Sequence, residues 1–393
     1  MIHTLEELNL RDKRIFVRVD FNVPLKDGKI SETHRIDSTL STLRFLLAHA
    51  KKIIVASHMG RPGGKIATKW SLAPVRDYLE SALSSPVVLA ADCIGPEVER
   101  VVRDEGAPKV ILLENLRFHP EEEANDPDFS KALASLAEVY VNDAFGTAHR
   151  AHASTEGMVK FFREKGAGVL FKKELDYLGG ALSSPRKPFT AVLGGAKVSD
   201  KIGVIRNLIP KVDSLIIGGG MAYTFLKARG AAIGKSLVEN DRLSLAKDLM
   251  KQAVDQKAQL LLPTDHVIAK TPESGAGTVI SGQNIPEDSM GLDIGPESVA
   301  SFVQVIRESK TVLWNGPLGL FEKDPFSGGT IAVAQSLAEC DAISIIAGGD
   351  TVAAVAKAGV ADKMTHLSTG GGATLEFLEG KRLPGVLALE GNA

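Results

Sequence analysis

Polar and basic side chains in the first half of the chain follow apolar runs, at the points where strands are expected to end. They are Asp20 and Asn22 in RVDFNVP, Arg35 at the start of a helical pattern, His58 and Arg61 in SHMGRP, Arg117 in ENLRF and Arg150 in AHRAH. Because the carboxyl ends of parallel strands meet at one edge of a sheet, we expect these side chains to converge. Gathered arginines repel one another unless an anion is bound, and arginine suits carboxylate and phosphate. The pattern predicts a site for an anion with several oxygen atoms.

Glycine clusters in the second half predict an anion site of a different kind. Four apolar runs lead into glycines and then into helical patterns: VLGG-AKVSDKIG, LIIGGG-MAYTF, IIAGGD-TVAAVA and LSTGGG-ATLEF. Glycine lets the backbone approach a phosphate, and a helix N-terminus presents unpaired N–H groups and partial positive charge. One such loop is typical of any tight strand-to-helix turn. Four of them at one sheet edge favour a phosphorylated ligand.

Two lysines and an aspartate accompany these glycines. Lys197 and Lys201 follow Gly194-Gly195 at a spacing of four, which predicts two ammonium groups on one face at a helix start. Positive charge there opposes the helix dipole unless an anion binds, and the alternative is a solvated helix face. Asp350 follows Gly348-Gly349, where its carboxylate could hold Mg²⁺ against phosphates or could cap the helix.

Other well-known nucleotide and metal motifs do not fit. GGGMAY lacks the third glycine of GxGxxG, and the segment 230–236 (GAAIGKS) is one residue short of GxxxxGK[ST]. These mismatches argue against a dinucleotide dehydrogenase and a P-loop NTPase. His149 and His152, with His58 and His119, could ligate a metal. No HExxH motif or cysteine partner accompanies them, and the interleaved arginines would repel a cation, so we expect no metal at these histidines.

Alternating strand and helix patterns must position these residues. In the first half, strands are predicted at 14–21, 52–57, 109–115 and 139–145, with helices at 36–50, 71–83 and 129–138. A second series of strands is predicted at 189–195, 214–220, 259–269, 310–317, 342–349 and 364–372. The alternation indicates βαβ units, parallel sheets and two similar α/β domains. An amphipathic helix at 170–188, closed by Gly-Gly and then SSPRKP, is predicted to link them.

The composition is that of an ordinary globular protein. The 393 residues are 44% hydrophobic and 24% charged, which suggests two or three domains and excludes wholesale disorder. A net charge of −2 argues against binding nucleic acid or an anionic membrane. The two cysteines lack CxxC spacing, no apolar run reaches about 20 residues, and the N-terminus has no secretory signal pattern. We therefore expect a cytoplasmic protein.

Nine motifs, in the expected order from end to end, resemble the phosphoglycerate kinase family. They are RIFVRVDFNVP (14–24), SHMGRP (57–62), ENLRF (114–118), DAFGTAHRAHAST (143–155), GGAKVSDKI (194–202), GLDIGP (291–296), WNGPLGLFE (314–322), AGGDT (347–351) and STGGGATLE (368–376). Leu318 and Leu320, where Met and Val are common, are conservative departures. The resemblance implies two Rossmann-like parallel-sheet domains, 1–170 and 189–378, facing a cleft. It also implies a hinge helix at 171–188 and a tail, 379–393, that packs back on the first domain.

The resemblance further implies an activity and roles for single residues. The activity is reversible, Mg²⁺-dependent phosphoryl transfer between ATP and the carboxylate of 3-phosphoglycerate, giving 1,3-bisphosphoglycerate in glycolysis, by a monomer. Substrate would be held by Asp20 and Asn22 at its hydroxyl and carboxylate region, by His58, Arg61, Arg117 and Arg150 at its 3-phosphate, and by Arg35 at the transferring group. Nucleotide would be held by Lys201, Gly348, Gly349 and Thr351 at the phosphates, by Asp350 through Mg²⁺, by Glu322 at the ribose and by Gly291 at adenine. Arg35 and Lys197 would be the catalytic groups.

Two other functions remain compatible with the residues alone. One is a sensor that binds phosphorylated metabolites at two sites without turnover. Each half of the chain carries a cation expected to face the gap between the two ligands, Lys197 in the second half and Arg35 in the first. This arrangement argues against a sensor, because binding without turnover does not need it. The other is an NAD-dependent dehydrogenase, which lacks its glycine fingerprint here. ATP formation separates a kinase from the sensor, and absence of NADH binding disposes of the dehydrogenase.

Overall fold

The computed structural model describes residues 2–390, which divide into two compact units. Unit 1 contains the chain up to Asp176 together with the described residues from Arg382 onward, and unit 2 is Tyr177–Lys381. Within residues 2–390, none of the helices has both the length and the apolar character that crossing a bilayer requires.

Unit 1 is built on a parallel sheet. Its strands, with a two-residue hairpin of β2 and β3, are β1 (Arg14–Arg18), β2 (Leu25–Lys26), β3 (Lys29–Ile30), β4 (Lys52–Ala56), β5 (Val87–Leu89), β6 (Val110–Leu112), β7 (Val139–Asn142) and β8 (Glu164–Ala167). The order across the sheet is β5-β6-β4-β1-β7-β8, and every neighbouring pair is parallel. β4, β6 and β7 are buried along their whole length, which fits β-branched runs covered on both faces.

Helices connect these strands. They are α1 (His34–Asp37), α2 (Leu40–His49), α3 (Ala73–Leu83), α4 (Pro96–Arg103), α5 (Pro120–Glu123) and α6 (Pro127–Ala134). The last three begin with proline, whose missing N–H is not needed in the first turn of a helix. Two further short elements are a 3-10 turn at Leu116–Phe118 and a π-helical turn at Ala153–Gly157.

Unit 2 carries a second parallel sheet and a small antiparallel one. Its strands are β9 (Phe189–Leu193), β10 (Ser214–Ile217), β11 (Gln259–Leu261), β12 (Asp265–Ala269), β13 (Thr278–Ser281), β14 (Met290–Ile294), β15 (Thr311–Asn315), β16 (Ile343–Ala347) and β17 (His366–Leu367). The parallel order is β11-β10-β9-β15-β16-β17, and the antiparallel order is β13-β12-β14. Trp314, the largest fully buried side chain, lies on the central strand β15.

The remaining helices complete the chain. They are α7 (Val169–Ser183), α8 (Ile202–Leu208), α9 (Ala222–Ala228), α10 (Leu243–Asp255), α11 (Pro296–Glu308), α12 (Gly328–Ala338), α13 (Gly349–Lys357), α14 (Gly372–Leu378) and α15 (Pro384–Glu390). α7 runs from unit 1 into unit 2. α15 belongs to unit 1, where Gly385 N donates to Ala148 O at 2.8 Å and Leu389 is buried. Residues 391–393 of the tail predicted at 379–393 lie outside the described residues.

The predicted fold class, two α/β units with parallel sheets, is confirmed, but several elements differ from prediction. The run at 259–269 is not one strand but two, β11 and β12, in different sheets, because Pro263 between them cannot donate to a ladder. Gly179-Gly180 does not close α7, which continues to Ser183 before the Ser-Pro stop. The short edge strands β5 and β8 and the helix α4 were not predicted.

Candidate functional site

Asp20, just beyond β1, gathers several predicted residues in unit 1. Its carboxylate accepts a hydrogen bond from Arg35 Nη1 at 2.9 Å and another from Asn22 N at 3.2 Å. Its Oδ1 also lies 3.8 Å from His58 Nδ1. Asn22 Oδ1 in turn accepts from Gly60 N at 2.8 Å, which ties the SHMGRP loop to the end of β1.

Arg117 is fixed by the 3-10 turn that carries it. Its Nη1 donates to Gly60 O at 2.8 Å, and its Nε lies 3.0 Å from Glu123 Oε1. Its backbone N donates to Asn115 Oδ1 at 3.0 Å, so an asparagine side chain caps the turn. Burial lowers the pKa of Arg117, while Glu123 acts in the opposite direction.

The charges around His58 show that the arginines converge. His58 is buried, and burial holds its pKa well below the usual value, with further lowering by Arg18, Arg117, Arg150 and Arg35. Burial also lowers the pKa of His152 to about 4, helped by Arg18, Arg117 and Arg150. Both imidazoles are therefore neutral at pH 7. Each can donate one hydrogen bond and accept another without adding charge.

Arg18 is a member of this group that sequence reasoning missed. It ends β1 and is only 1% exposed. Its Nε donates to Ser154 Oγ at 2.7 Å, and its Nη2 lies 3.4 Å from His58 Nδ1. Ser154 donates from N and Oγ to the buried carboxylate of Glu122, at 3.0 and 2.6 Å. The available signal was an arginine inside the apolar run RIFVRVDF, which a buried strand tolerates only with partners.

The two remaining predicted arginines differ in environment. Arg150 is half-buried, and its Nε donates to His149 Nε2 at 3.2 Å. Arg61 is exposed. Arg150 therefore belongs to the ordered basic group by its hydrogen bond and by its influence on His58 and His152. For Arg61, only its place in the SHMGRP loop connects it to the site.

The glycines of unit 2 separate into two kinds. At Gly194, Gly219 and Gly316 an added Cβ would come within 2.0, 2.7 and 2.3 Å of neighbouring backbone. The loops after β9, β10 and β15 pack backbone against backbone there, so these three glycines serve the fold. By contrast, a Cβ at Gly195 or Gly349 would meet no atom within 4 Å. These two face open space at strand ends and can admit a ligand.

The two lysines do not share a helix face, so that prediction is wrong. α8 begins at Ile202, Lys201 is its N-cap residue, and Lys197 lies in the preceding turn. Lys201 Nζ lies 3.5 Å from Asn315 O. Burial lowers the pKa of Lys201 to about 8, while Asp200 and Asp350 act in the opposite direction. Lys197 is exposed.

Asp350 and Thr351, in the first turn of α13, differ in exposure. Asp350 is exposed in the first turn of α13, whose N-cap is Gly348, so it is not the cap. Thr351 is buried, and its hydroxyl donates to Ala347 O and accepts from Gly316 N, at 2.8 and 2.7 Å. Nearby Asn315, which was not predicted, has a buried Oδ1 with no hydrogen-bond partner among the described residues. That oxygen is a further polar group that a ligand or its water can satisfy.

Gly291 and Glu322 lie away from these phosphate loops in the chain. Gly291 is in β14, donates its N–H to Ser236 Oγ at 2.9 Å, and would place a Cβ 2.0 Å from Tyr223 Oη. The absence of a side chain at 291 therefore makes room for Tyr223. Glu322 is exposed, in a turn that it forms with Phe321.

Known proteins resemble the chain over its whole length. A family model described as phosphoglycerate kinase matches residues 5–381. A phosphoglycerate kinase of Anaeromyxobacter dehalogenans (strain 2CP-C) is 54% identical over 99% of each chain. The cytosolic phosphoglycerate kinase of Triticum aestivum is 54% identical over 99% of this chain and 98% of its own. The solved phosphoglycerate kinase of Coxiella burnetii has 40% identity and a TM-score of 0.90, covering 99% of each chain.

The two-unit α/β fold and these matches define a kinase, an enzyme that transfers a phosphoryl group to or from ATP. Identity above half over nearly the full length then settles which one. The chain belongs to the phosphoglycerate kinase family, whose activity is phosphoryl transfer between ATP and 3-phosphoglycerate in glycolysis. The sensor and dehydrogenase alternatives are thereby set aside.

Proposed function

We propose that unit 1 binds 3-phosphoglycerate and unit 2 binds the nucleotide, with the roles assigned to single residues above. The observation that carries this proposal is the convergence of Arg18, Arg35, Arg117 and Arg150 on one buried, neutral histidine, His58. Four guanidinium groups near one point favour an anion of high charge, even though Asp20 and Glu123 already pair with Arg35 and Arg117. A phosphomonoester with a carboxylate supplies that charge.

Within unit 1, Asp20 and Asn22 bind the hydroxyl and carboxylate region of the substrate. His58, Arg61, Arg117 and Arg150 bind its 3-phosphate. Arg35 exchanges its bond to Asp20, 2.9 Å in the structure, for the carboxylate and the transferring phosphoryl group. Its side chain is 38% exposed, so it can reach a new partner, and Asp20, 13% exposed, then keeps its hydrogen bond from Asn22 N.

Within unit 2, the nucleotide phosphates lie against the open strand ends. Gly348, Gly349 and Thr351 offer backbone N–H groups at the start of α13, where the helix dipole favours negative charge. Lys201 binds the nucleotide phosphates, and the exposed Lys197 neutralises the transferred phosphoryl group. Glu322 binds the ribose, and Gly291 lies against adenine.

A magnesium ion fits the donor set at the start of α13. Asp350 presents an exposed carboxylate there, and carboxylate oxygen is a preferred ligand of Mg²⁺ beside phosphate. Bound there, Mg²⁺ would neutralise charge on the phosphates. Asp350 would hold it from the protein side, and the N–H groups at the start of α13 would bind phosphate oxygens.

The chemistry requires charge cancellation more than proton transfer. The attacking carboxylate, with a pKa of about 4, is already ionised at pH 7 and needs no general base. Its attack on an anionic phosphoryl group is opposed by electrostatic repulsion. Arg35 and Lys197 offset that repulsion where charge is exchanged, which is electrostatic stabilisation of an in-line transfer. His58 is neutral, so it can bind the 3-phosphate through a hydrogen bond without adding charge.

Two substrates held on separate units must meet before transfer. Reacting atoms need to approach to roughly 3–3.5 Å, so we propose that hinge bending closes the molecule when both ligands are bound. α7 and the segment 321–329 are the proposed hinges. Solution scattering tests this: the radius of gyration with both ligands should be smaller than with either alone. An apo particle as compact as the ternary complex would contradict hinge closure.

We also propose that the enzyme acts in the cytoplasm as a monomer, without nucleic-acid or membrane partners. The net charge of −2, the free cysteines Cys93 and Cys340 and the cytosolic relative from wheat support this.

The decisive test is formation of ATP from ADP and 1,3-bisphosphoglycerate by the purified chain in the presence of Mg²⁺. We expect turnover that depends on both substrates and on Mg²⁺. The matched control is the Arg35→Ala variant, which should bind ADP normally but form ATP far more slowly. A folded chain that forms no ATP above the rate without enzyme would contradict the proposal.

A further inference from the structure

A cluster of metal-ligating side chains lies in unit 1 apart from the arginines. Asp92 and Cys93 follow the edge strand β5, and His119 follows the 3-10 turn after β6. A carboxylate oxygen of Asp92, the Sγ of Cys93 and a ring nitrogen of His119 all lie within 4.8 Å of one another. Cys93 supplies the cysteine partner that the sequence did not reveal for any histidine.

Hydrogen bonds and packing hold the three groups in place. Asp92 Oδ1 accepts from Cys93 N and is 2.6 Å from His119 Nε2. Cys93 Sγ lies 3.0 Å from Glu114 O, and the His119 ring stacks on Phe129 at 5.1 Å between centroids. The side chains of His119 and Asp92 are 24% and 40% exposed, so an ion can enter from their side.

The charges at this cluster favour a cation. The carboxylates of Asp92 and Glu121 lie 2.6 and 4.0 Å from the two ring nitrogens of His119. Negative charge on both sides of the ring would stabilise a divalent cation. Around His58 and His152 the arginines outnumber the carboxylates, which are Asp20 at 3.8 Å from His58 and Glu122 at 4.0 Å from His152, and the arginines repel a cation. The objection from interleaved arginines therefore holds for those two histidines and does not apply at Cys93.

A fourth residue offers support behind the cluster. Glu121 Oε2 lies 4.0 Å from His119 Nδ1, and this oxygen is buried without a hydrogen-bond partner among the described residues. A histidine that binds metal through Nε2 carries its proton on Nδ1 and donates it to a carboxylate, a backbone carbonyl or water. Glu121, at 4.0 Å, can accept that proton after a small side-chain movement or through a water.

We propose that Asp92, Cys93 and His119 form a binding site for a borderline-soft divalent cation such as Zn²⁺, distinct from the Mg²⁺ used with the nucleotide. Binding would break the Asp92–His119 hydrogen bond, move the histidine proton to Nδ1 and release the thiol proton to solvent. Thiolate, neutral imidazole and carboxylate then give three ligands, and water completes a tetrahedron. Thiolate and imidazole select Zn²⁺ over Mg²⁺.

Cobalt tests this proposal, because Co²⁺ occupies such sites and gives a thiolate-to-metal absorption band. The full chain is titrated with Co²⁺, and Zn²⁺ is then added in competition. We expect one equivalent of Co²⁺ to produce the band, Zn²⁺ to abolish it and millimolar Mg²⁺ to leave it unchanged. Zn²⁺ binding should also release protons into a weakly buffered solution.

The chain offers a matched control, since Cys93 and Cys340 are its only cysteines. Cys340→Ser should keep the band, and Cys93→Ser should lose it. His119→Gln should weaken Zn²⁺ binding at least about tenfold. Near-ultraviolet circular dichroism checks that each variant folds, and His119→Gln decides the matter if Cys93→Ser does not fold.

Three outcomes would overturn the site: no band in the wild type, a band that survives in Cys93→Ser, or equal loss in Cys340→Ser. None of these readouts involves ATP formation. Failure of the metal site and failure of the proposed catalytic roles are therefore distinguishable.

Discussion

The anion sites proposed for the two units are built by opposite means. Unit 1 uses charged side chains, and its arginines converge on the buried His58. Unit 2 uses main-chain N–H groups at strand ends that open onto helices, with Gly195 and Gly349 facing free space. Side-chain charges can reach several parts of an irregular small molecule. Backbone groups suit the repeated phosphate geometry of a nucleotide, whatever its base.

The side-chain site of unit 1 and the backbone site of unit 2 have different structural requirements. Buried arginines need partners when no ligand is present, and unit 1 supplies Asp20, Glu122 and Glu123. Backbone loops instead need close approach, which unit 2 achieves with glycines at positions 194, 219 and 316. The first arrangement is sensitive to charge changes, while the second is sensitive to added atoms.

The largest effect should come from the one unit 1 residue placed in the transfer step. Arg35→Ala should lower kcat by about 10²–10³, because charge develops on the group it contacts in the transition state. The KM for 3-phosphoglycerate should change much less. Steady-state kinetics with both substrates measure the split. A variant with normal kcat and only weaker binding would remove Arg35 from the catalytic groups.

Substitution of the other arginines of unit 1 should affect the binding of 3-phosphoglycerate and not that of ADP. Arg61→Ala and Arg150→Ala should each weaken 3-phosphoglycerate binding by about 10–100-fold, since a hydrogen bond to a charged group contributes about 1.5–3 kcal/mol. ADP affinity, measured by calorimetry, should not change. Loss of ADP affinity in either variant would show that the two ligands are not divided between the units as proposed.

A pair of glycine substitutions sharpens the distinction within unit 2. Gly349→Ala adds a methyl group where no atom lies within 4 Å, so the fold should tolerate it. ADP affinity should nevertheless fall about tenfold as the methyl group displaces phosphate, a change of about 1.4 kcal/mol. The control is Gly219→Ala. Residue 219 has φ +64°, and the added Cβ would lie 2.7 Å from Gly195 N, so this substitution should lower the free energy of unfolding instead. Unchanged ADP affinity in Gly349→Ala would place the phosphates elsewhere.

The smallest effect concerns Lys201, a half-buried lysine of unit 2. Burial lowers the pKa of Lys201 to about 8. Below that pH the free enzyme already carries the ammonium, and above it nucleotide binding must take up a proton. ADP affinity should therefore fall about fivefold from pH 8 to pH 9, following a single titration. Lys201→Arg, charged throughout, should lack this dependence. A wild type and variant with the same pH profile would contradict the role of Lys201.

The sequence could predict residues that follow strand ends, because strand direction alone brings them to one edge. Asp20, Asn22 and His58 come together for this reason, and Arg35, in α1, joins them through its bond to Asp20. It could not separate glycines that serve packing from those that face a ligand. That distinction depends on the distance between loops from different strands, as at Gly219 and Gly349.

Local patterns also missed features that only tertiary packing creates. In the sequence, Arg18 is one residue within an apolar strand, and nothing near it indicates a partner. Its partner, Ser154, lies 136 positions later and accepts its hydrogen bond only in the folded structure. Cys93 and His119 belong to different strand ends and meet only because β5 and β6 are neighbours. The spacing of Lys197 and Lys201 suggested a helix, but the helix begins only at Ile202, so a periodic pattern outside an element predicts no shared face.

The return of α15 to unit 1 has a consequence for synthesis on the ribosome. Unit 1 buries Leu383 and Leu389, yet these residues are translated after the whole of unit 2. Roughly 200 residues separate the two parts of unit 1, which at about 5–20 residues per second is a delay of about 10–40 s. During that interval the nascent first unit exposes the surface that α15 later covers. Unit 1 therefore completes this part of its packing only after the whole of unit 2 has been translated.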